Sequence, residues 1–243
     1  MTNVYEIPVV ADGYDDAYQW TTGDDFYFEY VSRADRVLDI GCGTGRTLKG
    51  AWERGWRGNG SGIDPASPML EHARKATQFQ WLQGFAPDFD WEDEFDLAFM
   101  TGHAFQQIQT DSDILATLRA VRRFLKPDGL FVFETLNPLV RGWERWPELT
   151  SRTVDETTGD EIVSSMDIRG VVDDRWVTIA HIEESPAWNE PQVILETLLY
   201  TAKDALDALF TEAGLTVSEQ YGDWKRGPFT DDSGEIITVV KPA

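Results

Sequence analysis

Val37-Leu38-Asp39-Ile40-Gly41-Cys42-Gly43-Thr44-Gly45-Arg46 decides the fold. An apolar strand carrying an acid near its end runs into glycines at every second position. Without a Cβ at those places the chain can make a tight strand-to-helix turn, bringing backbone amides and the next helix N-terminus against a ligand. Gly62-Ile63-Asp64 ends a second strand-like segment with a second acid. A dinucleotide-binding loop calls for a further glycine at position 46, and this chain has Arg46 there. The stretch therefore reads as a nucleoside-binding loop of a different type.

Outward from this loop, residues 36–134 alternate short apolar runs with helical segments, the pattern of a parallel sheet covered on both faces. Strands are expected near 36–41, 60–64, 79–83, 96–101 and 129–135, with helices over Thr47 to Trp56, Pro68 to Ala76 and Ser112 to Leu125. In the last helix Ile114, Leu115, Leu118, Val121, Arg122 and Leu125 follow helical spacing and stop at a turn, Lys126-Pro127-Asp128-Gly129. After Pro138 the period changes. Asp155-Glu156-Thr157-Thr158-Gly159-Asp160 and Asp173-Asp174 read as turns, while Ile162 to Ile168, Trp176 to Glu184 and Gln192 to Tyr200 alternate. Three or four antiparallel strands are expected between about 150 and 201, inserted into the parallel fold. A helix from Lys203 to Ala213, a strand around Thr216 to Gln220 and a last strand Glu235 to Val240 complete the chain.

At 243 residues the chain suits one core carrying an insertion. Forty-three acids against 21 Lys and Arg give a formal charge of -22, which opposes binding to nucleic acid or an anionic membrane surface. Met1 to Trp20 lacks signal-peptide character, and no 18-residue apolar run occurs, so a cytoplasmic location is expected. The single cysteine, Cys42, excludes an intramolecular disulfide and reads as a small filler in the loop. His72, His103 and His181 fall into no ligand spacing, and no metal is implied.

The acid-first GxGxG loop with Asp64, Leu125-Lys126-Pro127-Asp128-Gly129 and the late strand pair resembles the class I S-adenosylmethionine-dependent methyltransferases across essentially the whole chain. Tyr221-Gly222-Asp223-Trp224 and the insertion after the fifth strand are most similar to the small-molecule branch, with its sugar N-methyltransferases and glycine-type N-methyltransferases. The resemblance implies an α/β, Rossmann-like, mostly parallel seven-stranded sheet whose last strand enters antiparallel, plus an antiparallel β insertion. It divides the chain into a cofactor domain, 1–149 and 202–243, and an inserted lid or acceptor platform, 150–201. It implies S-adenosyl-L-methionine as cofactor, S-adenosyl-L-homocysteine as product, and a small-molecule acceptor methylated on N or O by in-line displacement, in a monomer or homodimer.

In that resemblance Asp39 holds the amino-acid end of the cofactor, Gly41, Gly43 and Gly45 form the floor, and Asp64 accepts the ribose hydroxyls. Pro65, Met69, Phe85, Ala86 and Thr101 line the rest, and Tyr14 folds over the cofactor or serves as a hydrophobic anchor. Phe85 stands where the family often has an acid for the adenine amine; Asp88 is the substitute. His103, just past the fourth strand, either orients the acceptor and takes its proton or packs under the adjacent loop. Arg141, Trp143 and Tyr200, with Arg145 and Trp146 nearby, are the candidates for acceptor contact, suited to an anionic or ring-shaped group. Two rival functions are a regulatory protein that binds the cofactor without turnover and a nucleic-acid methyltransferase. Against the second, no Asn-Pro-Pro aromatic motif follows the fourth strand; Asn137-Pro138 follows the fifth.

Overall fold

The computed structural model describes residues 4–17, 19–154 and 158–243. Helices α1 (Pro8–Ala17) and α2 (Thr22–Val31) precede β1 (Arg36–Ile40), α3 (Arg46–Glu53), β2 (Asn59–Asp64), α4 (Ser67–Ala73), β3 (Gln80–Gln83) and β4 (Phe95–Met100). Then come α5 (Asp111–Phe124), β5 (Leu125–Leu136), four insertion strands, α6 (Lys203–Ala213), β10 (Leu215–Tyr221) and β11 (Glu235–Pro242). The main sheet runs in the order β10-β11-β5-β4-β1-β2-β3. All neighbours pair in parallel except β11, which lies antiparallel between β5 and β10. This is the expected fold. Strand order reverses between β1 and β4, the place in such sheets where a crevice opens at the strands' carboxyl ends.

Both sheet faces are covered, which is why the central strands are apolar on alternate and adjacent positions alike. Leu38, Ile40, Phe131 and Phe133 pack with Ile114, Leu118 and Val121 of α5 and Leu206 and Phe210 of α6. Val37, Phe99 and Val132 pack on the other face with residues of α2, α3 and α4. Helix α5 begins where the Thr110 hydroxyl accepts the Asp113 N–H at 3.1 Å, and α6 ends at Gly214, whose φ is 75°. Strand β2, Asn59-Gly60-Ser61-Gly62-Ile63-Asp64, is short of apolar side chains, and its neighbour supplies them: a Cβ on Gly62 would lie 2.4 Å from the Trp81 ring.

The turn expected at Lys126-Pro127-Asp128-Gly129 falls inside β5, where a Cβ on Gly129 would lie 3.1 Å from the Lys126 backbone. Leu125 pairs with Phe95 and Leu130 with Leu97, so the intervening residues loop out while the strand continues.

The insertion strands are β6 (Thr150–Val154), β7 (Glu161–Val172), β8 (Trp176–Glu184) and β9 (Gln192–Leu199), antiparallel in that order. Asp173 and Asp174, with φ of 51° and 52°, make the β7–β8 turn. Of the β6–β7 turn, Asp155-Glu156-Thr157 lies outside the described residues. The sheet rests on Trp143, Val177, Ile179, Leu198 and Tyr200, a separate small core. No helix among the described residues is long and apolar enough to cross a membrane.

Candidate active site

The glycine loop is built by backbone conformation. Gly41, Gly43 and Gly45 have φ of 71°, 53° and 79°, alternating left-handed residues that a side chain would strain. Gly41 and Cys42 donate their N–H groups to the Ile63 carbonyl at 2.8 and 3.0 Å, docking the loop on the end of β2. A Cβ on Gly45 would lie 2.4 Å from Trp81, so α3 starts against that indole. Cys42 is buried between them, and burial pushes its thiol pKa well up, as suits a filler.

Asp64 ties the two loops together. Its Oδ2 accepts the Gly43 N–H and its Oδ1 the Ala66 N–H, both at 2.8 Å. Burial raises its pKa and these two amides oppose the rise. Each oxygen retains a lone pair for a further donor, as a ribose diol requires. Asp39, 1 % exposed, differs: its Oδ1 has no hydrogen-bond partner among the described residues. Burial, and then the charge of Asp64, push its pKa well above the carboxylate range, with Arg46 acting against them. A buried carboxylate oxygen without a donor is costly, and a ligand donor beside the loop would relieve it. The donor set thus fits a nucleoside with a cationic arm.

Around these acids, α1 is fastened by Asp15, which accepts from Thr44 and, at 2.8 Å, from Lys49. Tyr14 on α1 meets Tyr5 edge-on at 6.2 Å between centroids and packs by Met69, Ala66 and Ala11. Its hydroxyl lies 3.6 Å from the place a Cβ would take on Gly102. The α1 helix therefore bridges the glycine loop and the turn after β4. The Pro65 carbonyl accepts from the Gln83 amide at 3.0 Å, fixing the loops after β2 and β3 to each other. Phe85 is 64 % exposed, Ala86 is buried, and Asp88 turns one oxygen back onto the Phe85 N–H at 2.8 Å. The Thr101 hydroxyl lies 3.5 Å from that of Thr47.

His103 sits on the turn after β4 with φ of 58°. Its N–H donates to Glu134 Oε1 at 2.9 Å, and its Nε2 lies 3.1 Å from Glu235. Glu134, 3 % exposed at the end of β5, also accepts the Tyr27 hydroxyl, which lies 3.0 Å from the Met100 carbonyl. Burial works to lower the His103 pKa, but the Glu235 hydrogen bond and the charges of Glu134, Glu235 and Glu196 outweigh it and raise it to about 8. Sequence reasoning missed Tyr27, Glu134 and Glu235. The signal for Glu134 was present: an acid ending the apolar run Leu130-Phe131-Val132-Phe133 repeats the form that singled out Asp39 and Asp64. Glu235 is 132 residues from His103, and only the sheet joins them.

The proposed acceptor residues stay in contact but differ in exposure, with the Arg141 guanidinium 5.2 Å above the Trp143 ring. Trp143 is fully buried, stacked edge-on against Tyr200 at 4.5 Å. Arg141 is outside, paired with Glu144 and Asp174 at 2.6 Å each, so its charge braces the β7–β8 turn. A cavity of about 420 Å³ opens between the end of β5, the turn after it and β11, and Leu136, Arg145, Trp146, Glu148, Tyr200 and Glu235 are among its walls. Glu235 is shared between this cavity and His103. His181 is occupied by Glu196 at 2.9 Å.

Residues 37–129 match the family of the methyltransferase domain, which covers the glycine loop, Asp64, His103 and the start of β5. The chain is an S-adenosylmethionine-dependent methyltransferase. It is 26 % identical over 222 residues, 84 % of this chain and 82 % of the relative, to the cypemycin N-terminal methyltransferase of a Streptomyces species. It is also 26 % identical to the dTDP-3-amino-3,4,6-trideoxy-alpha-D-glucopyranose N,N-dimethyltransferase of Streptomyces venezuelae, over 99 % of this chain and 97 % of that one. Its fold is shared with the CcbJ methyltransferase from Streptomyces caelestis, at a TM-score of 0.73 and 21 % identity over 96 % of each chain.

Proposed function

We propose that the protein methylates an amino nitrogen of a small molecule seated in the cavity beside Glu235. The observation that carries this reading is the pairing of a buried, unpartnered Asp39 oxygen at the glycine loop with an acid-walled cavity across His103. S-adenosylmethionine, when bound, supplies an activated methyl group. In this reading Asp39 accepts from its ammonium end, Asp64 accepts both ribose hydroxyls, and the loop amides and Gly41, Gly43 and Gly45 give a close floor. Pro65, Met69, Phe85, Ala86, Thr101 and Tyr14 surround the remaining surface and keep water away, which alignment for an in-line displacement requires. Nitrogen is favoured because Glu235 and Glu148 stand against a single cation, Arg145, among the cavity residues, a field that draws in an amine and repels a carboxylate. Tyr200 and Trp146 supply flat apolar walls, and Trp143 supports Tyr200 from behind. Of the two relatives matched over most of their length, one is named an N-terminal methyltransferase and the other an N,N-dimethyltransferase of an amino sugar, which supports this choice.

Calorimetry with S-adenosylmethionine and S-adenosylhomocysteine, followed by an S-adenosylhomocysteine release assay over amines, amino sugars, phenols and carboxylates, tests the reading. Binding with turnover on amines is expected. Absence of cofactor binding, or turnover confined to phenols or carboxylates, would reject it.

A further inference from the structure

Glu235 lines the acceptor cavity, and the ring of His103, itself a third exposed, lies against its carboxylate. We infer that Glu235 is the residue that contacts the acceptor's amino group, and that Glu235 and His103 act as one unit that receives the proton the acceptor must lose. The inference rests on the reading of the cavity as the acceptor site.

The geometry that supports it has three parts. Glu235 opens β11 at its pairing with Leu136, the last residue of β5, so its backbone is fixed by the sheet. Its two oxygens lie 3.2 and 3.1 Å from His103 Nε2, which is nearly symmetric, and each keeps lone pairs for the cavity side. His103 is held independently of Glu235, because its N–H is taken by Glu134, whose other oxygen is taken by the Tyr27 hydroxyl. From the cavity the contacts run through Glu235, His103, Glu134 and Tyr27 in that order.

An amine arrives largely as an ammonium and attacks only as the free base. One N–H bond of the ammonium breaks, its electron pair stays on nitrogen as the lone pair, and the proton moves to the Glu235–His103 unit. The imidazole is the final holder, becoming imidazolium beside a carboxylate. No other reactant is needed. The groups that set the field on the ring are Glu235 from β11, Glu134 from β5 and Glu196 from β9, with Tyr27 and Tyr200 beside these acids. Because the ring titrates at about 8, the unit is free to take a proton only as the pH rises toward and through that value.

The test reads the imidazole directly. The chain has three histidines, so the Cε1–H resonances can be assigned with His72→Asn, His103→Asn and His181→Asn. In the S-adenosylhomocysteine complex, the midpoint of His103 is expected to fall by about one unit or more in Glu235→Gln, and to stay near the native value in Glu235→Asp. Benzylamine, which matches the aromatic and acidic walls, should shift the His103 resonance in the native protein, and benzyl alcohol should not. An unmoved midpoint in Glu235→Gln would overturn the coupling. No response to benzylamine, an equal response to benzyl alcohol, or a native-like response in Glu235→Gln would overturn the contact. Native affinity for S-adenosylhomocysteine in each variant shows that the fold is kept, and loss of that affinity in the native protein would instead defeat the functional reading itself.

Discussion

Two neighbouring regions along the carboxyl edge of one sheet bury acids in opposite ways. At the glycine loop, Asp39 keeps an oxygen without a partner and Asp64 accepts only backbone amides. Two strands across from Asp39, Glu134 has both oxygens filled, by the His103 N–H and the Tyr27 hydroxyl. The pKa of each of the three is raised by burial. What differs is the source of the compensating donors. A carboxylate whose donors come from the protein is a structural fixture, and one whose donors are missing is kept at a cost for something that arrives later.

The sharpest way to break this comparison is Glu134→Ala. It strands two buried donors, at about 1–3 kcal/mol each, less the relief of removing a buried charge. A loss of about 3 kcal/mol in urea unfolding is expected, and one under about 1 kcal/mol would mean that Glu134 fixes nothing. Next, His103→Asn is expected to bind S-adenosylhomocysteine normally and lose about 100-fold in turnover. The sign of its pH dependence follows from its raised pKa. The stability gained from the charged ring is complete below about 6.5, the unfolded value, and is lost as pH rises through about 8. Proton-accepting turnover therefore climbs over the window in which that stability declines, and a flat rate profile from neutral pH to pH 9 would return His103 to packing.

Asp64→Ala should weaken cofactor binding by about 1–3 kcal/mol, the range for hydrogen bonds to a charged group, and unchanged calorimetric affinity would remove the ribose role. Asp39→Asn separates binding from stability. A carboxyl whose folded pKa lies above its unfolded one destabilises the fold once pH exceeds the unfolded value, so the variant should melt at the same temperature or higher at neutral pH while binding the cofactor more weakly. A lower melting point would show that Asp39 has protein donors after all. The smallest effect is reserved for Arg141→Ala. Its two ion pairs are exposed and screened by solvent, so acceptor KM should barely move; a large rise in KM would bring Arg141 into the acceptor site.

The glycine loop was legible because its signal is local. Asp39, Gly41, Gly43 and Gly45 lie within seven consecutive residues, and the backbone they demand follows from the missing Cβ atoms alone. The alternation of elements pointed to a parallel sheet covered by helices, and the antiparallel place of β11 followed from the resemblance to the class I methyltransferases. The acceptor side was harder to read. Glu235 pairs with His103 only because β11 slots antiparallel between β5 and β10, and nothing in Ser233-Gly234-Glu235 points to a histidine far up the chain. Arg141 and Trp143, adjacent but for one glycine, went to opposite environments, one on the surface and the other fully buried.

The sequence by itself determined the periodicity of the strands and helices, the glycine turn and the excess of negative charge, since each depends on residues close together or on composition. The tertiary structure decided which acids keep an empty oxygen, that His103 meets Glu235, and that two acids face one cation on the cavity wall. Those are outcomes of which donor ends up beside which acceptor once distant strands are laid in register, and burial makes each such meeting energetically large without leaving a mark at either position in the chain.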